Sequence, residues 1–208
     1  MSNILVLNSS LSGDASVSNI LVADAVAALQ AAHPGASVTT RDLANDPLPH
    51  LTPATVAGVR SVASTPAEIQ ARTLSETLLA ELNAADAVVI GAPMYNFSIP
   101  STLRAWFDHV VRPGVTFAYV DGAPRGLVAN KPVIVVEARG GLYSEGPAQA
   151  VDFQEGYLRH LLGFIGLTDV TFIRAEKIGY GPEARDAAIA GARAEIARVV
   201  GGAVPLAA

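Results

Sequence analysis

Apolar runs of strand length alternate along the whole chain with longer stretches in which apolar positions recur every three to four residues. Residues 4–7 predict a first strand. A helix over 18–32 carries Val22, Val26 and Leu29 on one face, and 37–43 is a second strand whose mixed polarity suits a sheet edge. Thr65, Pro66 and Glu68 read as the N-cap, first-position proline and first-turn acid of a helix reaching about residue 84. Strands follow at 87–90, 132–137 and 170–174. A helix over 149–165 places Leu158, Leu161, Leu162 and Ile165 together, and a closing helix over 183–200 turns Ile189, Ala192, Ile196 and Val199 inward. Near-continuous apolar strands that alternate with helices imply a parallel sheet covered on both faces. The expected fold class is α/β, a doubly wound five-stranded parallel sheet of order 2-1-3-4-5 with right-handed crossovers, in one domain over 1–208. Two connections, 44–64 and 112–130, are longer than crossovers require, and 114–124 can form a hairpin. Such excursions are either functional or surface decoration.

Composition narrows the function classes. The 208 residues suit one well-buried domain. Half are hydrophobic and 16% are charged, which argues against disorder. The net charge of −5 offers no basic patch for nucleic acid or for an anionic membrane surface, and no apolar run is long enough to span a bilayer. The absence of cysteine removes disulfides, thiol catalysis and cysteine-based metal centres. The opening residues lack the charged leader of a signal peptide, so a soluble cytoplasmic protein is expected.

Three loops fall at the carboxyl edge of the predicted sheet, where doubly wound folds bind ligands. The first, NSSLSGDASVSN at 8–19, lacks the phosphate-binding G-x-x-x-x-G-K-[ST] pattern and the dinucleotide fingerprint G-x-G-x-x-G. It nevertheless runs from a strand into a helix N-terminus, where backbone N–H groups and serine hydroxyls suit a phosphate monoester; alternatively Ser16 or Ser18 merely caps the helix. The second, GAPMYNFSIPSTLRAWFD at 91–108, opens with apolar surface and backbone suited to a flat heteroaromatic ring. Asn96 can pair with ring heteroatoms, Pro93 and Pro100 restrict the backbone, and Ser98 or Ser101 is the expected cap of the next helix. Leu103, Trp106, Phe107 and Val110 recur at helical spacing, so the two aromatics are expected to pack on the sheet. The third loop, ARGGLYSEGP at 138–147, has a glycine pair that lets backbone approach a ligand closely, with N–H groups able to support negative charge; Arg139 either assists or is an ordinary surface charge. His33, His50, His109 and His160 lack metal-ligand spacing and read as structural or surface residues.

Together PMYNFSIPSTLRAWFD, GVTFAY, RGG and LGFIG, in that order, resemble the signature of the FMN-dependent NADH:azoreductases, flavodoxin-like homodimeric oxidoreductases that also reduce quinones. The resemblance spans essentially the whole chain. It implies that Ser10, Ser16, Val17 and Ser18 bind the FMN phosphate, that Met94, Tyr95, Asn96 and Phe97 hold the isoalloxazine, and that Ala138, Arg139, Gly140 and Gly141 line its other edge. Val17 stands where several relatives carry a polar residue, so its contact would be through backbone, and Ala138 replaces a common serine. The resemblance further implies a substrate pocket shaped by Tyr119, by Phe164 from the partner subunit and by Arg60 near the entrance. The implied cycle is ping-pong: NADH reduces the flavin at N5, then a quinone or azo compound takes two electrons, with no catalytic protein residue and no metal. A flavodoxin-type electron carrier and a flavin-free interaction protein are the competing readings, since a scaffold does not determine a function.

Overall fold

The structure, a computed structural model, describes residues 1–202. Strand β1 (Asn3–Asn8) leads into α1 (Val17–Ala32) and β2 (Ser37–Asp42). After α2 (Val56–Arg60) and α3 (Pro66–Ala84) come β3 (Ala87–Pro93) and α4 (Ser101–Val110). A hairpin of β4 (Phe117–Val120) and β5 (Ala123–Gly126) precedes β6 (Val133–Ala138), α5 (Glu155–Ile165), β7 (Val170–Ala175) and α6 (Pro182–Gly202). The main sheet has the order β2-β1-β3-β6-β7, and every pairing in it is parallel. With the hairpin set apart, this is the 2-1-3-4-5 winding read from the sequence.

Strand periodicity divides the core into two layers. Ile4 and Val6 join Val89, Val136 and Ile173 under α1 and α6. Leu5 and Leu7 join Val88, Ile90 and Val135 under α3, α4 and α5. Trp106 and Phe107 are in this second layer with their rings edge to face at 5.1 Å, as their spacing implied. No helix among the described residues is long and apolar enough to cross a membrane.

Helix termini show where local sequence decides. Thr65 Oγ1 accepts from the Glu68 amide and Glu68 Oε2 accepts from the Thr65 amide, a full capping box with Pro66 in the first turn. The start of α4 differs from expectation. Pro100 is its N-cap, Ser101 is already helical, and the Ser98 hydroxyl donates instead to the Phe153 carbonyl. The helix expected over 149–165 begins only at Glu155, after a short 3-10 turn at Pro147–Val151. Asp152 sets that boundary: its Oδ1 accepts from the amides of Gln154 and Glu155. At the other end of α5, Gly166 has φ +110, and a Cβ there would lie 2.5 Å from the Val128 carbonyl oxygen, so glycine is required twice over.

The long excursions are fastened down. Arg60 donates to the carbonyls of Val111 and Asp108 at the end of α4, and Arg72 donates to the Gly58 carbonyl. Buried His109 meets the Pro49 carbonyl through Nε2 at 2.9 Å. The hairpin turns on Asp121 and Gly122, both left-handed, as two-residue turns require, and so falls within the expected 112–130 excursion.

Candidate functional site

The direction in which successive strands are added to the sheet reverses between β1 and β3, and the loops leaving β1, β3 and β6 meet at that point. In the first loop, the Ser9 hydroxyl donates to the Gly91 carbonyl, and the Leu11 amide donates to the Tyr95 hydroxyl at 2.9 Å, bridging to the second loop. Ser16 caps α1 by accepting from the Asn19 amide, and its hydroxyl is 3.1 Å from that of fully buried Ser18. The expected cap is thus Ser16. The amides of Val17 and Ser18, in the first turn of α1, have no intrahelical acceptor. Val17 directs its side chain into the apolar layer under α1.

The second loop makes its turn at Tyr95–Ser98, where the two end residues exchange backbone hydrogen bonds of 2.9 and 3.1 Å. Both central residues are left-handed, Asn96 at φ 48 and Phe97 at φ 69. Asn tolerates this conformation, whereas Phe costs about 1 kcal/mol or more. Phe97 is half exposed and stands edge-on to Tyr143 of the third loop. The Met94 amide donates to the Ala138 carbonyl, which joins second loop to third. In the third loop the carbonyls of Gly140 and Gly141 accept from Gly179 and Lys177, while their own amides make no hydrogen bond among the described residues.

These loops enclose two adjoining spaces. A cavity of about 170 Å³ is lined by Ser10, Ser16, Val17 and Ser18 from the first loop, by Met94 and Tyr95 from the second, and by Ala138 and Gly140 from the third. Met94 and Tyr95 also wall a groove of about 830 Å³ with Asn96, Ile99, Thr102 and Tyr157. The first space is below the usual size of a ligand pocket and suits a compact headgroup; the second has room for a ring system. Ser12, Ile178 and Arg185 complete the small cavity. Sequence reasoning missed Arg185. The only available signal was topological: the first turn of a helix following the last strand opens on the same sheet edge.

The side chain of Arg139, expected at the ring edge, turns away from both spaces. Its guanidinium is fully buried beneath the third loop, not lining either space. Nη2 donates to Glu137 at 2.6 Å, Nε donates to Gln154 at 3.0 Å, and Nη1 meets Asp152 at 3.0 Å and Glu176 at 3.3 Å. Gln154 in turn donates to the Ala92 carbonyl at the end of β3. Four carboxylates within 4 Å of one cation explain why the side chain turns inward. Burial, reinforced by Glu155 and Asp152 and opposed by Arg139, pushes the Glu137 carboxyl up to about 8. Burial also opposes ionisation of Glu176, but hydrogen bonds from Ser144, the Tyr143 amide and Arg139 hold it below the usual carboxylate range.

Tyr119, Phe164 and Arg60 do not gather at either space. Tyr119 projects from the hairpin, largely exposed, and Phe164 packs on Phe117 at 4.5 Å. Arg60 is committed to the carbonyls that end α4 and borders neither space. Gly141 also stays outside the two linings, beside the Tyr143 ring.

The pattern of the family described as having a flavodoxin-like fold matches residues 2–200. The FMN-dependent NADH:quinone oxidoreductase of Hyphomonas neptunium is 61% identical over 199 residues, covering 96% of both chains. That of Ralstonia nicotianae is 48% identical over 97% of this chain and 98% of its own. The crystal structure of an azoreductase from Bacillus anthracis superposes with a TM-score of 0.87 at 29% identity, covering 97% of this chain and all of that one. With its winding, its three converging loops and this degree of identity, the chain belongs to the flavodoxin-like family of FMN-dependent NADH:quinone oxidoreductases.

Proposed function

We propose that the protein is an oxidoreductase that binds FMN, takes electrons from NADH and passes them to quinones and to aromatic azo compounds. The observation that carries this reading is the pairing of a small donor-lined cavity with a larger, partly apolar groove across the shared wall of Met94 and Tyr95. The site fits the cofactor on its own terms. Gly140 borders the cavity with open space at its Cβ position, and its amide and those of Val17 and Ser18 lack acceptors among the described residues. FMN, when bound, supplies two-electron redox chemistry. The chain's residues supply position. Ser16 and Ser18 offer hydroxyls at the α1 N-terminus, where the helix dipole favours an anion. Met94, Tyr95 and Asn96 present the turn to the ring, and the Gly140 amide, without an acceptor among the described residues, is placed to stabilise negative charge where the small cavity adjoins it. No side chain here serves as nucleophile, and protons reach the acceptor from water.

The working unit in this reading is a cytoplasmic homodimer, where NADH is available. Leu11 and Phe153 at the groove, with Phe97 beside it, leave apolar surface exposed, and Tyr119 and Phe164 stand away from it. A second copy that brings its own Tyr119 and Phe164 over the groove accounts for both facts. The test is anaerobic addition of NADH to the FMN-loaded protein, followed by absorbance, and then turnover with quinones and azo dyes. Rapid bleaching and restoration by quinone are expected; absence of direct reduction by NADH would leave an electron carrier instead.

A further inference from the structure

Arg185 lies in the first turn of α6 and borders the same small cavity as Ser16 and Ser18. Most arginines of this chain are engaged with carboxylates or carbonyls, as at Arg41, Arg60, Arg72, Arg139 and Arg174. Arg185 is different. Among the described residues its guanidinium donates no hydrogen bond, and its one ion contact, to Asp186, is loose at 3.8 Å. The other arginine without a hydrogen bond, Arg125, is exposed on the hairpin and borders neither space. The cavity's described lining contains no carboxylate, whereas the neighbouring pocket beside Ser10 is lined by Asp14 and Asp42. A half-exposed guanidinium with unused donors therefore faces a carboxylate-free space that already offers serine hydroxyls and unpaired helix amides. Its planar fork matches two oxygens of a phosphate.

We propose that Arg185 is a specificity-determining residue that pairs with the terminal phosphate of the bound flavin and makes the site prefer the phosphorylated cofactor over riboflavin. The inference rests on reading the cavity as the phosphate site. Serines and amides alone bind a phosphate by partial charges; Arg185 adds the only full positive charge in the described lining. Because its guanidinium makes no hydrogen bond among the described residues, replacing the side chain should leave the fold intact.

The test is titration of the full-length chain, freed of flavin, with FMN and separately with riboflavin, for the wild type, Arg185→Ala and Arg185→Lys. Arg185→Ala is expected to weaken FMN about tenfold, the scale of a partly exposed charged hydrogen bond, and to change riboflavin affinity by less than about threefold. The loss of FMN affinity with added salt should become shallower in the same variant. Arg185→Lys, which keeps the charge but not the fork, should fall between. Unchanged FMN affinity in Arg185→Ala, or equal losses for both flavins, would overturn the role of Arg185 while leaving the phosphate site standing. A wild type that binds riboflavin as tightly as FMN would instead remove the phosphate site, and the proposal with it.

Discussion

Glu137 gives the sharpest test of the buried network under the third loop. Its side chain is fully buried, Oε2 accepts from Arg139 at 2.6 Å, and Oε1 has no partner. In the folded chain the carboxyl holds its proton until about pH 8, whereas in the unfolded chain it releases it near the ordinary 4.5. The folded state therefore binds the extra proton between those values. This group's contribution is fully present below pH 4.5, falls as pH rises, and is exhausted above about 8. Between pH 6 and 9 the wild type should lose about 2–3 kcal/mol through this residue alone, at roughly 1.4 kcal/mol per pH unit. For a chain of this size that is a fall of roughly 5–10 °C in melting temperature. Glu137→Gln keeps the shape and an acceptor for Arg139 but cannot ionise. Thermal unfolding of both proteins at pH 6, 7, 8 and 9 isolates the effect, since all other groups titrate in both. The gap in the variant's favour, already open at pH 6 because the unfolded carboxyl ionises from about 4.5, should widen by about 2–3 kcal/mol by pH 9. Parallel curves would refute the reasoning, because they would mean that Glu137 is ionised in the folded protein throughout.

Three further changes probe the site and its frame. Gly140→Ala meets no atom within 4 Å, so stability should hold within about 0.5 kcal/mol while FMN affinity falls about tenfold through the narrowed cavity, as flavin titration would read. Gly166→Ala combines a left-handed backbone with a 2.5 Å approach to Val128, and should cost about 2–4 kcal/mol in urea unfolding; a smaller loss would mean that the chain relaxes there. Phe97→Gly should be more stable than Phe97→Ala by about 1 kcal/mol, because only glycine relieves the left-handed conformation; equal stabilities would show that the turn carries no strain.

The sheet was legible because its inner strands are apolar on both faces, and its order followed from the usual winding of a five-stranded doubly wound fold. The edge strand β2 was equally readable from its mixed polarity, and its partly exposed residues agree. What escaped depended on contacts far apart in sequence. The apolar spacing before residue 155 is compatible with a longer helix; only Asp152 folding back on two amides stops it. Arg139 beside two glycines reads as either a ligand-facing or an ordinary surface charge until Glu137, Asp152, Glu155 and Glu176 are brought beneath it from separate parts of the chain. Arg60 looked free for the same reason: the α4 carbonyls it serves lie 48 and 51 residues away. The loops were found because glycine, proline and serine mark them; the side chains that brace them carry no such mark.

Charge shows how a correct global inference can coexist with an opposite local one. A net charge of −5 is poor for a polyanion, whose affinity depends on many phosphate contacts at once. A single phosphate samples only what lies within about 8 Å at physiological ionic strength. Within the small cavity the described lining holds serines, first-turn amides and Arg185, and no carboxylate. The acids of this region are placed elsewhere: Asp14 and Asp42 in the adjoining pocket, and Glu137, Asp152, Glu155 and Glu176 against Arg139 beneath the third loop. Burying Arg139 thus has two consequences. It withdraws one cation from the third loop's surface, leaving neutral amides there, and it compensates carboxylates that would otherwise repel an anion bound nearby. Within a chain that is acidic overall, this segregation leaves one compact space suited to a phosphate.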